Sequence, residues 1–475
     1  MAFFDRVLNI FRVPDLRKRI LFTLALLAVY RLGAHIATPG INTELLQQFF
    51  EQNRGTWLGL VDIFSGGNFR SMTIFALGIM PYITASIILQ LMTVVWPYLE
   101  RLQKEGELGR RKITQYTRYL TVFLAAFQAL TISLTLQRGS AGGVRYVLDP
   151  GPGFILMTVL TLTTGTIFIM WLGEQISDRG IGNGMSLIIF AGIVVGLPQA
   201  MREIYEKAFV MGEWQAIHLL ALVAMMLAVV MLIVFVEGGQ RRVPVQYAKR
   251  VVGRRMMGGA MTYLPIRVNT GGVIPVIFAS SVLTFPQTFG LFLPQSRQME
   301  AGFGRDVVRF LEGVRDALEW GDPLYTLLYI IGIIFFCYFY VSIIFNPDEL
   351  ADNMRKWGGF IPGIRPGRNT SEHINDILTR LTFVGGVYLA MISIIPEWMI
   401  SGIHLDELPF IGGWVDATLP VWLLRGLGVN FYFGGTSLLI VVGVAMDTVN
   451  QIEAQLTMRH YEGFTARGRV RGRRG

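Results

Sequence analysis

Cysteine and charge are both scarce in this 475-residue chain. The single Cys337 lies inside the apolar run from Tyr329 to Phe345, so no intrachain disulfide can form and the residue reads as a small buried hydrophobe. Only 16% of the residues are charged against 52% hydrophobic, far too apolar a balance for a water-soluble globule. Catalytic signatures are missing as well. There is no His-Glu-x-x-His pattern, no Walker-type glycine loop ends in Gly-Lys, and the five histidines (His35, His218, His373, His404, His460) are scattered. These gaps argue against a metalloprotease or an ATPase. Serines within apolar segments, such as Ser86 and Ser280, have no partner histidine on any span and read as helix-to-helix or backbone hydrogen-bonding groups. The chain is therefore expected not to be an enzyme, with no cofactor and no metal.

A further shortage is of ionisable residues at the span centres. A coupled transporter keeps such groups near the membrane midplane to bind protons, sodium or a charged substrate. Here Glu174 and Glu237 sit at helix ends, and Asp447, on the cytoplasmic side of the last span, is the residue that keeps open the alternative of an inverted-repeat secondary solute transporter.

What the chain does have is long apolar windows. Spans are expected at 20–38, 73–96, 115–136, 153–174, 184–200, 215–236, 271–290, 323–345, 377–396 and 434–455, the mark of an all-α polytopic membrane protein. Ten spans put both termini on one side. That side holds roughly 28 Lys and Arg against roughly 11 opposite, which makes it cytoplasmic. Gly33-Ala34-His35-Ile36-Ala37 resembles a signal-peptide cleavage site, but spans follow at once and the charged leader is long. Ahead of the first span, Phe3, Phe4, Val7, Leu8 and Phe11 recur at helical spacing among arginines, so residues 1–19 read as an amphipathic helix on the cytoplasmic surface.

One pattern occurs twice. Phe64-Ser65-Gly66-Gly67-Asn68-Phe69 leads into Gly78-Ile79-Met80-Pro81-Tyr82-Ile83-Thr84-Ala85-Ser86, and Gly272-Val273-Ile274-Pro275-Val276-Ile277-Phe278-Ala279-Ser280 repeats the second segment at its Gly, Pro, Ile, Ala and Ser positions. Paired Gly/Pro-interrupted spans mark an inverted-repeat fold with a pathway between its halves. Branched apolar side chains beside the breaks suit a constriction too dry to pass ions, although packing between helices fits Ile79, Ile83 and Ile277 on spacing alone. Two cytoplasmic loops, 237–269 and 346–376, are longer than a connection requires. The first carries Arg241, Arg242, Lys249, Arg250, Arg254, Arg255 and Arg267. The tail 456–475 is arginine-rich, and the polar stretch 291–320 has no assigned role.

Along essentially its whole length the chain resembles the SecY family, the channel subunits of bacterial protein translocation. The resemblance is carried by Phe64-Ser65-Gly66-Gly67, Ala76 to Ile83, Arg179-Gly180-Ile181-Gly182-Asn183-Gly184, Gly239-Gln240-Arg241-Arg242, Gly272-Val273-Ile274-Pro275, Phe345-Asn346-Pro347, Ile361 to Gly367 and Tyr432 to Ser437, in that order. It implies ten transmembrane helices in two pseudo-symmetric inverted halves of five, 20–200 and 201–455, around a central hourglass pore. It implies a pore ring of Ile79, Ile83, Met185, Ile189, Ile277 and Ile440, with Met185 standing where a branched residue is usual. A plug is implied at about 57–70, with Asp62, Phe64, Ser65, Gly66, Gly67 and Asn68 in plug and hinge. A lateral gate between spans 2 and 3 and spans 7 and 8 would use Thr84, Ser86, Gln90, Gln128, Ser280, Ser281 and Thr284. The long loops would dock ribosomes and the motor ATPase SecA through Arg241, Arg242, Lys249, Arg250, Arg254, Arg255 and Arg365. The implied partners are SecE, SecG, SecA, the ribosome, signal peptides with nascent chains, and the lipid bilayer. The implied site of action is a bacterial plasma (inner) membrane.

Overall fold

The computed structural model describes residues 13–52, 62, 65–138, 140–141, 144–210, 216–247, 250–252, 255–257, 261–290, 313, 323–401 and 435–467. The first twelve residues, the stretch 291–312 and the last eight residues lie outside them, and so do most of the surface helix, the unassigned loop and the end of the tail expected from sequence. The chain divides into two compact units, one drawn from Met1–Glu203 and Val444–Gly475, the other from Ile204–Gly290 and Pro294–Gly443.

In the first unit α1 (Pro14–Gly33) starts on a proline, whose missing N–H costs nothing at a helix N-terminus. The chain then turns into α2 (Thr43–Gln52), a short helix that buries Leu46 and Phe50. These side chains join Ile41, Phe69, Met72, Tyr146, Val147 and Phe154 in one apolar cluster. Two backbone bridges, Ala37 to Thr73 and Ile41 to Val147, stitch the connecting segments over that cluster. α3 (Met80–Val95) follows, and at Trp96-Pro97 the chain bends by 99° into α4 (Pro97–Lys104). The bend has a cause in sequence, because proline lacks the N–H that would continue the ladder and pushes the residue before it out of the helical region. Trp96 is extended at φ −104° and ψ 109°. In α4 Lys104 donates to Glu100 at 2.6 Å, and that bond lowers the carboxyl pKa of Glu100. α5 (Glu107–Arg138) and α6 (Pro152–Arg179) are long and pack on one another, joined through the two-stranded β1 (Ser140–Ala141) and β2 (Val144–Arg145). α7 (Gly184–Tyr205) follows and runs on into a π-helical turn, Glu206–Val210, that belongs to the second unit.

In the second unit α8 (Ala216–Glu237) leads into a β-hairpin. β3 (Gln240–Tyr247) pairs antiparallel with β6 (Met261–Arg267), and β7 (Gly359–Phe360) adds to the other edge of β3. Between them lie β4 (Arg250–Val252) and β5 (Arg255–Met257), which pair with each other. Val243 and Val245 alternate inward, the period of a half-buried strand, and meet Ile266, Met354, Ile361, Ile374 and Leu378. α9 (Ile274–Gly290) packs on α10 (Pro323–Ile344), and α10 on α12 (Arg368–Ser401). α11 (Pro347–Lys356) is capped by Asn346, whose side chain accepts from the amides of Asp348 and Glu349 at 3.1 and 3.4 Å. The last helix, α13 (Gly435–Arg467), runs on well past the end of the apolar window, 434–455.

Among the described residues five helical stretches are long and apolar enough to cross a membrane, and the bent pair α3–α4 makes a sixth. Shorter apolar stretches occur at Gly184–Gln199, Val223–Glu237 and Ile274–Leu283. The second span departs from its sequence expectation, 73–96, because the helix proper starts only at Met80. Residues 73 and 74 are held elsewhere: Thr73 bridges Ala37, and the Ile74 amide donates to the Ile36 carbonyl at 2.9 Å.

Candidate functional site

The two repeated segments adopt the same local structure. Gly78 and Gly272 have φ of +55° and +60°, a left-handed conformation that favours glycine. In each case a helix starts two residues later, at Met80 and Ile274, with the proline in its first turn, where no N–H is needed. The amide of Ile83 donates to the Ile79 carbonyl at 3.1 Å, and the amide of Ile277 to the Val273 carbonyl at 3.3 Å. Burial matches too: Ile83 is 8% exposed and Ile277 7%, Ala85 0% and Ala279 1%. The repeat is therefore one of conformation as well as of letters.

Of the six residues expected in a pore ring, Ile79 and Ile83 are buried one turn apart at the start of α3, and Ile189 is buried on α7. Met185, one turn before Ile189, is half-buried and lays its sulfur over Gly173 of α6. In the second unit Ile277 is buried near the start of α9 and Ile440 is buried on α13. One turn beyond Ile440, Gly443 brings its backbone close to Val273: a β-carbon there would stand 2.8 Å from the Val273 Cγ1.

The segment ahead of α3, where a hinge is expected, is tied down by polar groups. Gly66 and Gly67 both have positive φ, +71° and +80°. The Ser65 hydroxyl donates to the Asp62 carbonyl and accepts from the Phe69 amide. Asn68 donates to the Ser65 carbonyl at 2.6 Å and to the Tyr30 hydroxyl of α1 at 3.2 Å. The Arg70 amide donates to the Asp62 carboxylate at 2.9 Å, and the Arg70 guanidinium donates to the side-chain oxygen of Gln199 on α7 at 3.0 Å. Aromatic contacts flank these bonds, with Phe50 edge-on to Phe69 at 5.2 Å and Tyr30 stacked on Phe75 at 5.7 Å. Phe64 and most of 57–64 lie outside the described residues.

Three of the expected gate residues, Thr84, Gln90 and Ser280, donate within their own helices. Thr84 donates to the Met80 carbonyl, and Gln90 donates to the Ser86 hydroxyl at 3.4 Å. Ser280 donates to the Ile277 carbonyl at 2.9 Å. Gln128 is half-buried on α5. The Gln90 side-chain oxygen and the Ser281 hydroxyl are buried with no hydrogen-bond partner among the described residues. Thr284 is on α9, its side chain outside the described residues.

The SecY family model matches residues 73–449. The chain belongs to the SecY family. Among its relatives, protein translocase subunit SecY of Streptomyces galbus is 47% identical over 463 residues, 96% of this chain and 98% of the relative. The same subunit of Escherichia coli K12 is 45% identical over 458 residues, 96% of each chain. Solved structures share the fold at lower identity. One described as the structure of a protein conducting channel superposes with a TM-score of 0.56 at 17% identity, over 92% of this chain and 91% of the other. A second, with a TM-score of 0.55 and the same identity and coverage, is described by the plug domain that stabilises the closed state of the translocation channel and maintains a membrane seal. A third is Sec61 in the canine ribosome-channel complex from the endoplasmic reticulum, with a TM-score of 0.53 at 16% identity over 92% and 91%.

In this SecY-family chain the described basic residues of the two long loops stand on ordered supports. Arg241 and Arg242 are exposed on β3. Arg365 is exposed at the tip of a turn whose glycines, Gly363 and Gly367, have φ of +85° and +107°. Its carbonyl accepts from the Thr370 hydroxyl at 3.0 Å, and buried Ile361 anchors the base of the turn. Lys249 and Arg254 lie outside the described residues, and so do the side chains of Arg250 and Arg255. Sequence reasoning named neither Tyr30 nor Gln199 among these polar contacts, and held Arg70 only as the end of the expected plug, 57–70. The available signal was Arg70 itself, a lone charge three residues after the glycine pair in an otherwise uncharged stretch.

Proposed function

We propose that this SecY-family chain is a protein-conducting channel, one that passes unfolded secretory polypeptides across the membrane and releases transmembrane segments sideways into lipid. The observation that carries the reading is the duplicated break, Gly78 to Ser86 and Gly272 to Ser280, with a buried isoleucine at the same place in each. In the full reading, ten spans form two inverted halves of five, 20–200 and 201–455, around an hourglass pore. Ile79, Ile83, Met185, Ile189, Ile277 and Ile440 then make a ring too dry and narrow for ions to wet. A plug at about 57–70 closes the outer funnel.

Sideways release needs no reading of sequence by the channel. Each Leu-like residue of a passing segment gains a few tenths of a kcal/mol in lipid, whereas a central Arg costs roughly 2.5 to 3.5. Thr84, Ser86, Gln90, Gln128, Ser280, Ser281 and Thr284 would border the gate, where hydroxyls and amides hold by about 1 to 2 kcal/mol at most and exchange partners. Energy comes from partners, the ribosome and SecA, docking on the basic loops through Arg241, Arg242, Lys249, Arg250, Arg254, Arg255 and Arg365. SecE and SecG complete the complex in a bacterial plasma membrane, with both termini cytoplasmic.

The test is reconstitution with SecE, a secretory chain arrested in transit, and cysteines placed at Ile83 and Ile189. Crosslinks from both positions to the arrested chain are expected. Absence of both, with solute uptake in their place, would return the inverted-repeat transporter.

A further inference from the structure

The two glycine breaks share their Gly, Pro and Ile but are anchored by different chemistry. Three residues before Gly78 stands Phe75, buried and stacked on Tyr30 of α1 and Phe168 of α6 with ring centroids 5.7 and 6.0 Å apart. The matching place before Gly272 holds Asn269, a polar side chain that is only 4% exposed. Its side-chain amide donates twice, to the Glu237 carboxylate at 2.6 Å and to the Gly272 carbonyl at 3.1 Å. Both partners are pure acceptors, so the donating end of the amide must face them. Glu237 ends α8 and is the only acid in the arginine-dense stretch 237–269. The strands of the hairpin close at the same place, where the Val268 amide donates to the Gly239 carbonyl at 3.0 Å and the Thr270 hydroxyl to the Arg267 carbonyl at 2.9 Å. From the other side α12 presses in. A β-carbon on Gly385 would stand 3.0 Å from the Val268 carbonyl oxygen and 3.5 Å from the Asn269 Cα. Asn269 thus joins the end of α8, the foot of the hairpin and the break that opens α9, all within the second unit.

We propose that Asn269 is a positioning residue: it ties the start of α9, and with it Ile277, to the foot of the basic hairpin, so that the hairpin and the second break shift as one piece. The proposal rests on the channel reading above, in which the hairpin docks ribosomes and Ile277 belongs to the ring. A hydrogen bond to a carboxylate is shorter and stronger than a neutral one and holds one direction, so movement of either partner is passed to the other. The first break has aromatic packing against α1 and α6 in that place, with no docking strand beside it. A displacement of the hairpin therefore reaches Ile277 and leaves Ile83 where it is.

The experiment titrates the full complex in lipid vesicles with ribosomes making a signal-bearing chain, and reads ribosome affinity separately from the fraction of chains that cross at saturation. Asn269→Asp keeps the size of the side chain and removes both donors; Asn269→Leu removes them and stays neutral. In both variants affinity should remain that of the parent, because the arginines of the hairpin are untouched. Crossing at saturation should fall about tenfold, the worth of one hydrogen bond to a charged group. Hydrogen exchange at the amides of β3 and β6 checks that the hairpin is still paired. A second measurement needs no variant: in the parent, idle ribosomes should change exchange at the Ile277 amide and leave the Ile83 amide as it was. Normal crossing by either paired variant, a loss of affinity that accounts for the loss of crossing, or a response at Ile277 no greater than at Ile83 overturns the positioning role and leaves the channel reading standing. Failure of the parent to pass any signal-bearing chain overturns the channel reading itself.

Discussion

Ile83 and Ile277 hold equivalent places after two glycine breaks, and both are buried. On the proposed ring, Ile277→Asn would put a carboxamide where a branched apolar side chain excludes water, and the constriction would wet more readily. A several-fold rise in resting ion conductance is expected, with acceptance of weaker export signals; unchanged leak and signal stringency would count against the ring. The glycines separate two physical effects. Gly272 has φ +60° and open space around its missing side chain, so Gly272→Ala meets only backbone strain, about 1 kcal/mol. Gly66→Ala meets that strain and the Gly192 backbone as well. Denaturation midpoints of the two variants in detergent should rank Gly66→Ala well below Gly272→Ala, and an equal loss would show that the Gly66 contact is not tight. Gly78 and Gly272 were legible in the sequence, because a repeated Gly-x-x-Pro has few structural meanings. The partners of Arg70 were not, since Gln199 is 129 residues away and nothing local joins them.

At the scale of elements, hydropathy located the apolar stretches but not the helix ends. The expected second span, 73–96, starts late because Thr73 and Ile74 bond to the chain leaving α1, a pairing between distant segments that no sliding window registers. The helix that holds the expected third span, 115–136, is longer than the span: α5 already runs from Glu107 through a charged stretch, where low hydropathy does not prevent a helix. The sheet of β3, β6 and β7 went unread too, although Val243 and Val245 alternate, because the density of arginine in 237–269 suggested only a docking loop. Element ends of this kind can be tested singly. Asn346 caps α11 by accepting two amides, so Asn346→Ala should cost about 1 kcal/mol and loosen α11 where it packs on α12. Faster hydrogen exchange at Asp348 and Glu349, with the β3–β6 amides unchanged, is the expected signature; unchanged exchange at those two amides would show that the cap is dispensable.

For the molecule as a whole, the formal net charge is +9, and on the orientation proposed here roughly 28 of 42 Lys and Arg face the cytoplasm. Such an excess does two jobs, holding the chain's orientation during insertion and attracting a polyanion afterwards. The first needs only charge near the span ends, whereas the second needs side chains projected well clear of the bilayer on supports that do not collapse. Arg241 and Arg242 on a paired strand, and Arg365 on a glycine-bounded turn, are exposed on supports of that ordered kind. If they contact ribosomal phosphates, each releases about one counterion, so ribosome affinity for membranes carrying this protein should fall linearly on logarithmic axes as salt rises. Replacing Arg241 or Arg242 by Glu should weaken binding and reduce that slope by about one per residue. Arg365→Glu should in addition impair SecA-driven transport while leaving the protein's own insertion in the membrane intact. A slope untouched by all three changes would assign these arginines to topology alone, and ribosome docking would then have to rest on other parts of the chain.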